Sequence, residues 1–377
     1  MTRAGPLALA ALALLAPRAA LAQRWSVSAG AAGDVSLAPE PRGFGIIVVD
    51  LRVRRVAREG DLRVTLNTDT LQVALESVAL SPRVQLNAFA RGQALFGGML
   101  PTYIQRGEIV PARGFFASYA QLGASVKWLP ADHHALELAL SGRRWFFTAR
   151  DPGSALPPEH FTFEPRVRYV YWDLQLPHGD TDPGIFHPRF HGVALGVELG
   201  MDIRSEQGTY GPSSPNIREG RITARPFMVR QWLRAGVRAH SRLRVQLEES
   251  ASFGVDEDDL TRPRVGGMNP YSVQVPGLPW PALLSERLVA GMISAHWQVS
   301  PRHAHELGLA FGGGAFSDPG RTGDIDRFGV LGGGAVFADL RWSAWTLHLR
   351  GGVALPSEWL DRVPHAGAFI SLSRRWH

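Results

Sequence analysis

The sequence predicts an all-β fold: a transmembrane antiparallel β-barrel of 16 strands, with 14 as the alternative. Three observations predict it. First, the stretch Val193 to Arg204, VALGVELGMDIR, alternates without error over its whole length. Val193, Leu195, Val197, Leu199, Met201 and Ile203 fall on one face; Ala194, Gly196, Glu198, Gly200, Asp202 and Arg204 fall on the other. Second, many alternating segments are far longer than the ~5–6 residues usual for soluble strands. Third, tight links alternate with long polar ones, as in a barrel with short turns at one end and long loops at the other. Hydrocarbon offers a backbone N–H no partner, so a sheet there must close on itself. Lipid outside and a wet or plugged lumen inside account for the two faces.

The strands are expected at 24–32, 44–57, 61–67, 71–80, 83–97, 113–128, 135–149, 161–176, 188–204, 219–239, 241–254, 286–299, 304–317, 327–342, 344–355 and 366–376. An even count leaves both termini on the periplasmic side. Loss of the first strand and fusion of 61–80 into one strand would give 14. The same period-2 pattern carries each assignment. Leu243, Val245 and Leu247 oppose Arg244, Gln246 and Glu248; Ile293, Ala295 and Trp297 oppose Ser294, His296 and Gln298. Trp345, Leu347 and Leu349 oppose Thr346, His348 and Arg350. Trp128, Trp145, Phe146, Phe147, Tyr169, Tyr171, Trp172, Trp232, Trp342, Trp345 and Trp376 cluster near strand ends, where two interfacial girdles would place them.

The N-terminus, MTRAGPLALAALALLAPRAALA, has a basic start, an apolar run from Ala4 to Ala16 and an Ala20-Leu21-Ala22 site. It reads as a signal peptide, 1–22, leaving 23–377 as a single outer-membrane barrel domain of a Gram-negative bacterium. No later run reaches the ~18 apolar residues of a membrane helix. The chain has 377 residues, 45% hydrophobic and 20% charged, with no cysteine and therefore no disulfide framework. A net charge of +6, spread thinly, lacks the basic stripe of a nucleic-acid partner.

Chemistry is sparse. His240-Ser241 lies at an expected periplasmic turn, and no Gly-x-Ser-x-Gly elbow occurs. The segment His178 to His191 contains His178, Asp180, Asp182, His187 and His191 at no standard metal spacing. No enzyme activity, metal or other cofactor is expected. Charges of both signs are expected to face the lumen: Arg52, Arg54, Arg91, Glu198, Asp202, Arg244, Glu248, Asp339, Arg341 and Arg350, with Asp50. They can pair across strands or set ion preference.

The loop from Val255 to Ser285 holds five prolines and three glycines, so it reads as an ordered fold rather than a tether. Five strands follow it. Within it RVGGMNPYS (Arg264 to Ser272), and after it SERLVAGMISAHW (Ser285 to Trp297) and LGLAFGGGAFSDP (Leu307 to Pro319), resemble the loop tip and following strands of the Omp85 superfamily of outer-membrane translocators and surface antigens. The resemblance covers the last ~140 residues. It implies that the loop folds into the lumen, with Arg264, Gly266, Gly267 and Tyr271 near its tip. The family's Arg-Gly-aromatic tip is not intact, because Val265 follows Arg264, and Gly313 stands where the family has an acidic partner. No POTRA domains are expected ahead of the barrel. Gly312, Gly313, Gly314, Gly332, Gly333 and Gly334 offer a smooth wall on which the loop can pack, since strand glycine admits close approach of another backbone.

Transport or translocation across the outer membrane is the expected function. A general porin for small solutes is the alternative, and a lipid hydrolase the third reading. Expected partners are outer-membrane lipid and lipopolysaccharide, and the barrel-assembly machinery through the last strand, AFISLSRRWH; the client or solute is unknown.

Overall fold

The computed structural model describes residues 25–376 apart from 39–41, 69, 94–103, 106–107, 110–114, 150–155, 176–189, 212–219, 259, 267–272, 279–282, 301–304, 318–327 and 358–363. The expected signal segment, 1–22, lies outside the described residues.

Sixteen strands form one sheet that closes on itself: β1 (Trp25–Ala38), β2 (Arg42–Ala57), β3 (Gly60–Asn67), β4 (Thr70–Ser81), β5 (Val84–Gln93), β6 (Phe115–Trp128), β7 (His134–Ala149), β8 (Phe161–Gln175), β9 (His191–Met201), β10 (Phe227–His240), β11 (Leu243–Val255), β12 (Arg287–Gln298), β13 (Glu306–Ser317), β14 (Phe328–Trp342), β15 (Trp345–Ala354) and β16 (His365–Trp376). Each pairs antiparallel with its neighbours in sequence, and β16 pairs with β1 from Val27↔Trp376 to Ala38↔Ala366. Closure removes the edge that an open sheet would expose. The described residues contain no helix.

The count is 16 rather than 14, because the weakest hairpin is real: Asn67 pairs with Thr70, and β3 and β4 remain separate. The first strand runs on to Ala38 instead of ending at 32, and two later boundaries differ from expectation. The ninth strand stops at Met201, and only Ile203–Arg204 resumes pairing with β8. The tenth begins at Phe227; Gly220–Ile222 instead pairs with Gly208–Tyr210 in a separate hairpin at the long-loop end. Register shifts mark β2 between Val53 and Ala57, and β4 between Leu75 and Val78. Arg55 and Ser77 take positive φ there, at 54° and 58°, the left-handed conformation found in one class of bulge.

The alternation becomes two surfaces. Leu122, Leu138, Leu140, Val237, Ile293, Leu307, Leu309, Phe311, Val330, Val336 and Ile370 are exposed on the outside. The opposite face is polar and buried: Ser28, Asp34, Gln121, Ser125, Glu164, Asp202, Gln246, Asp339, His348, Arg350 and Ser371. Trp128, Trp172, Trp342 and Trp376 are exposed near strand ends. Trp145 and Phe147 do not join an outer girdle. Their odd positions on β7 place them on the buried face, in a cluster with Phe115, Ala117, Tyr210 and Ile222.

Candidate functional site

The charged inner face is organised in cross-strand pairs. Arg52 meets Asp61 at 2.7 Å, and Asp50 meets Arg63 at 2.7 Å. Arg91 donates to Gln121 Oε1 at 2.6 Å. Arg166 binds Asp202, and Arg168 binds Glu198 and lies 3.5 Å from the Glu137 carboxylate. Arg244 reaches Glu306 at 2.7 Å, and Glu248 lies 3.6 Å from Arg234. Asp339 accepts from His348, and the Arg341 backbone N–H donates to His305 Nδ1 at 3.0 Å. Arg54 is exposed, one residue before the bulge at Arg55. The wall is thus cross-braced, as opposite charges on neighbouring strands can brace it.

The second feature is the segment after β11. Asp258 is buried with Arg204 and Thr223: it pairs with the Arg204 guanidinium and accepts the Thr223 backbone N–H at 2.9 Å. Leu260 packs on the aromatic cluster of Phe115, Trp145, Phe147 and Tyr210. Phe115 meets Phe147 and Tyr210 edge-on at 5.3 and 5.1 Å. His160 is fully buried beside them, and burial holds its imidazole below the ordinary value. Glu257 is buried too, and neither carboxylate oxygen has a hydrogen-bond partner among the described residues. Burial pushes its carboxyl up to about 8, against the opposing pull of Arg230 and Arg262.

Further along, Arg264–Val265 pairs with Leu283–Leu284, and Val265 bridges Val273. Gly266 takes φ +108°, and its N–H reaches Val273 O at 3.0 Å beside this parallel bridge. Gly267 and Tyr271 lie outside the described residues. Val275-Pro276-Gly277-Leu278 then makes a tight turn, with Leu278 N–H on Val275 O at 3.2 Å. Proline at the second position and Gly277 at φ +85° in the third are the requirements of a type II turn.

That turn sits on the buried face of β12 to β15. Val265, Val275 and Leu278 form one core with Leu288, Ala290, Phe316, Leu331 and Ala354. A Cβ on Gly333 would lie 2.1 Å from Pro276 O; one on Gly312 would lie 3.2 Å from Pro276 Cδ. Gly352, which the sequence did not single out, faces the Gly277 N at 3.0 Å in the same way. Arg350 Nη1 donates to Gln274 Oε1 at 2.8 Å. Gly314 shares the buried face. Gly313, Gly332 and Gly334 belong to the other face, where Phe311 covers Gly334 and is itself 61% exposed. Among the described residues of the loop, Val265 and Val273 to Leu278 therefore sit on this wall. A Pro-Gly pair between Val275 and Leu278 is the signal that could have found them.

The sequence matches no family model and no curated protein. Solved structures match it in fold. BamA from Haemophilus ducreyi, in a form lacking POTRA domains 1–3, superposes with a TM-score of 0.60 at 9% identity, over 94% of this chain and 70% of that one. The chain shares the fold of that barrel. CdiB from Acinetobacter baumannii gives 0.56 at 11% identity over 93% of this chain, and CdiB from Escherichia coli gives 0.54 at 12% over 93%. The chain spans 60% of the first CdiB and 63% of the second. The barrel has the 16 strands of the expectation, and four of the five that follow the long loop, β12 to β15, carry the seat of the turn.

Proposed function

We propose that this chain is an exported outer-membrane barrel of a Gram-negative bacterium that serves transport or translocation, with the 256–286 loop folded into the lumen as its closure. The apolar outer belt calls for acyl chains, and an Ala-x-Ala signal segment calls for export. Outer-membrane lipid and lipopolysaccharide are then its surroundings. The observation that carries the closure is the Pro276-Gly277 turn seated on Gly312, Gly333 and Gly352 and tied by Gln274 to Arg350. A 16-stranded barrel is wide enough for an aqueous channel. Arg350 is buried under Gln274 of the turn, whereas Arg63, Arg168 and Arg234, away from it on the same inner face, keep 40–48% of their side-chain surface exposed. The seat of the turn on the wall, not burial of the whole inner face, is what favours a closed resting state over a general porin.

Single-channel recording in planar bilayers tests the proposal. The intact protein is expected to show small or rare openings, and deletion of 273–278 to give a large steady conductance. A wide conductance in the intact protein, unchanged by that deletion, would overturn it. Liposome swelling with neutral sugars supplies an independent reading on the same two proteins.

A further inference from the structure

A row of polar groups crosses five strands of the inner wall. The register sets Arg244 opposite His296, Glu306 opposite Asp339, and Asp339 opposite His348. Glu306 and Asp339 thus form a direct cross-strand pair of like charge, an arrangement that is destabilising on its own. Both are buried, at 7% and 4% exposure. One ligand atom from each of His296, Glu306 and Asp339 lies within 4.8 Å of the others.

The orientation of His296 is specific. Its Nε2 lies 2.9 Å from Ser294 Oγ, a hydroxyl that can accept a proton from Nε2 or donate its own to it. The ring Nδ1 lies 3.4 Å from Glu306 Oε2. A proton on Nδ1 pairs the two directly; with the proton on Nε2, the Nδ1 lone pair and the carboxylate are both turned to the same point, where a cation can sit between them. The outer partners are in place as well. Arg244 fixes Glu306 at 2.7 Å, and the His348 ring fixes Asp339. Such contacts orient ligating carboxylates and are a regular part of metal sites. Phe337 lies 4.7 Å from the His296 ring and 6.0 Å from the His348 ring, and so walls one side with hydrocarbon.

We propose that His296 Nδ1 and the carboxylates of Glu306 and Asp339 bind one divalent first-row transition ion, such as Zn²⁺, on the inner wall of the barrel. One imidazole and two carboxylates are a ligand set suited to such ions. The ion relieves the like-charge pair and cross-links β12, β13 and β14, the strands next to the loop seat. The site is built on the barrel wall, so it does not depend on where the loop lies.

The test uses tag-free full-length protein in detergent, titrated with Co²⁺ and read by visible absorption, with Zn²⁺ as competitor. One saturable Co²⁺ per barrel is expected, displaced by Zn²⁺. His296→Ala and Asp339→Asn are each expected to weaken binding about tenfold or more, while His240→Ala, at an exposed turn, leaves it unchanged. The gel shift between boiled and unboiled samples checks that each variant is a closed barrel. If Asp339→Asn fails that check, His296→Ala decides alone. No saturable band, or a band that persists in His296→Ala, would overturn the site and leave a hydrogen-bonded charge row in its place.

Discussion

Arg350 and Gln274 are 76 positions apart in sequence, yet the guanidinium of one donates to the amide oxygen of the other at 2.8 Å. Arg350 also reaches Met292 Sδ at 2.8 Å, so the same side chain touches the loop and the wall beneath it. A hydrogen bond from a charged donor contributes roughly 1.5–3 kcal/mol. Arg350→Ala is expected to release the loop by about that amount. Gln274→Ala should do less, and the double variant should do no more than Arg350→Ala. Hydrogen exchange across 273–278 measures it; strictly additive effects would show that the two side chains do not act together.

Gly333→Ala tests the seat more directly. The new methyl would stand 2.1 Å from Pro276 O and 2.7 Å from Val353 O, both backbone atoms. Overpacking of this kind costs about 1–3 kcal/mol. The turn should lift, and channel openings should become more frequent while the gel shift persists. Gly332→Ala, on the other face, is expected to leave conductance as it was.

Asp258→Ala should loosen the 256–262 segment, which caps the wall at Arg204 and Thr223. It would leave the buried Arg204 with Asp202, at 3.4 Å, as its remaining charge partner among the described residues, and Thr223 N–H without its acceptor. Removing one member of a buried pair costs about 3–5 kcal/mol. Limited proteolysis between 205 and 262 should become at least several-fold faster, with the barrel itself intact.

The cap should also respond to pH. The Glu257 carboxyl rises from 4.5 to about 8 on burial, so the folded state holds a proton that the unfolded state has lost. Stability therefore falls as pH rises wherever the folded state binds more protons. The loss begins above 4.5 and is complete above about 8. Exchange rates in 255–262 should increase through that window, and Glu257→Gln should flatten the profile.

Deletion of 366–377 should abolish membrane insertion. The last strand supplies the pairing that closes the ring, from Trp376 on Val27 to Ala366 on Ala38. Without it β1 and β15 would expose unpaired edges to hydrocarbon. Wild-type levels of heat-modifiable protein from the truncated chain would show that closure does not need this strand.

Much of this architecture can be read in the chain. Leu307, Leu309 and Phe311 on one side and Glu306, Gly308 and Ala310 on the other state which face is oily. They do so because a strand has only two faces and a one-residue slip would reverse them. The same alternation sends Arg244, Arg350 and Asp339 inward. Near ends and loops it says less. Trp145 and Phe147 read as outer girdle but belong to an inner aromatic cluster, since Tyr210 and Ile222 come from a hairpin that no local pattern ties to β7.

The sequence by itself determined the strands and the character of each face, because period-2 patterning acts between near neighbours along the chain; it left their number at 16 or 14. Only the tertiary structure decided which residues meet across the ring. The glycines that receive Pro276, the arginine that holds Gln274, and the row of His296, Glu306 and Asp339 are set by inter-strand register and by a loop crossing back over the wall. Those contacts join residues distant in the chain. Their closeness follows from ring closure and backbone hydrogen bonding rather than from any spacing written in the order of amino acids.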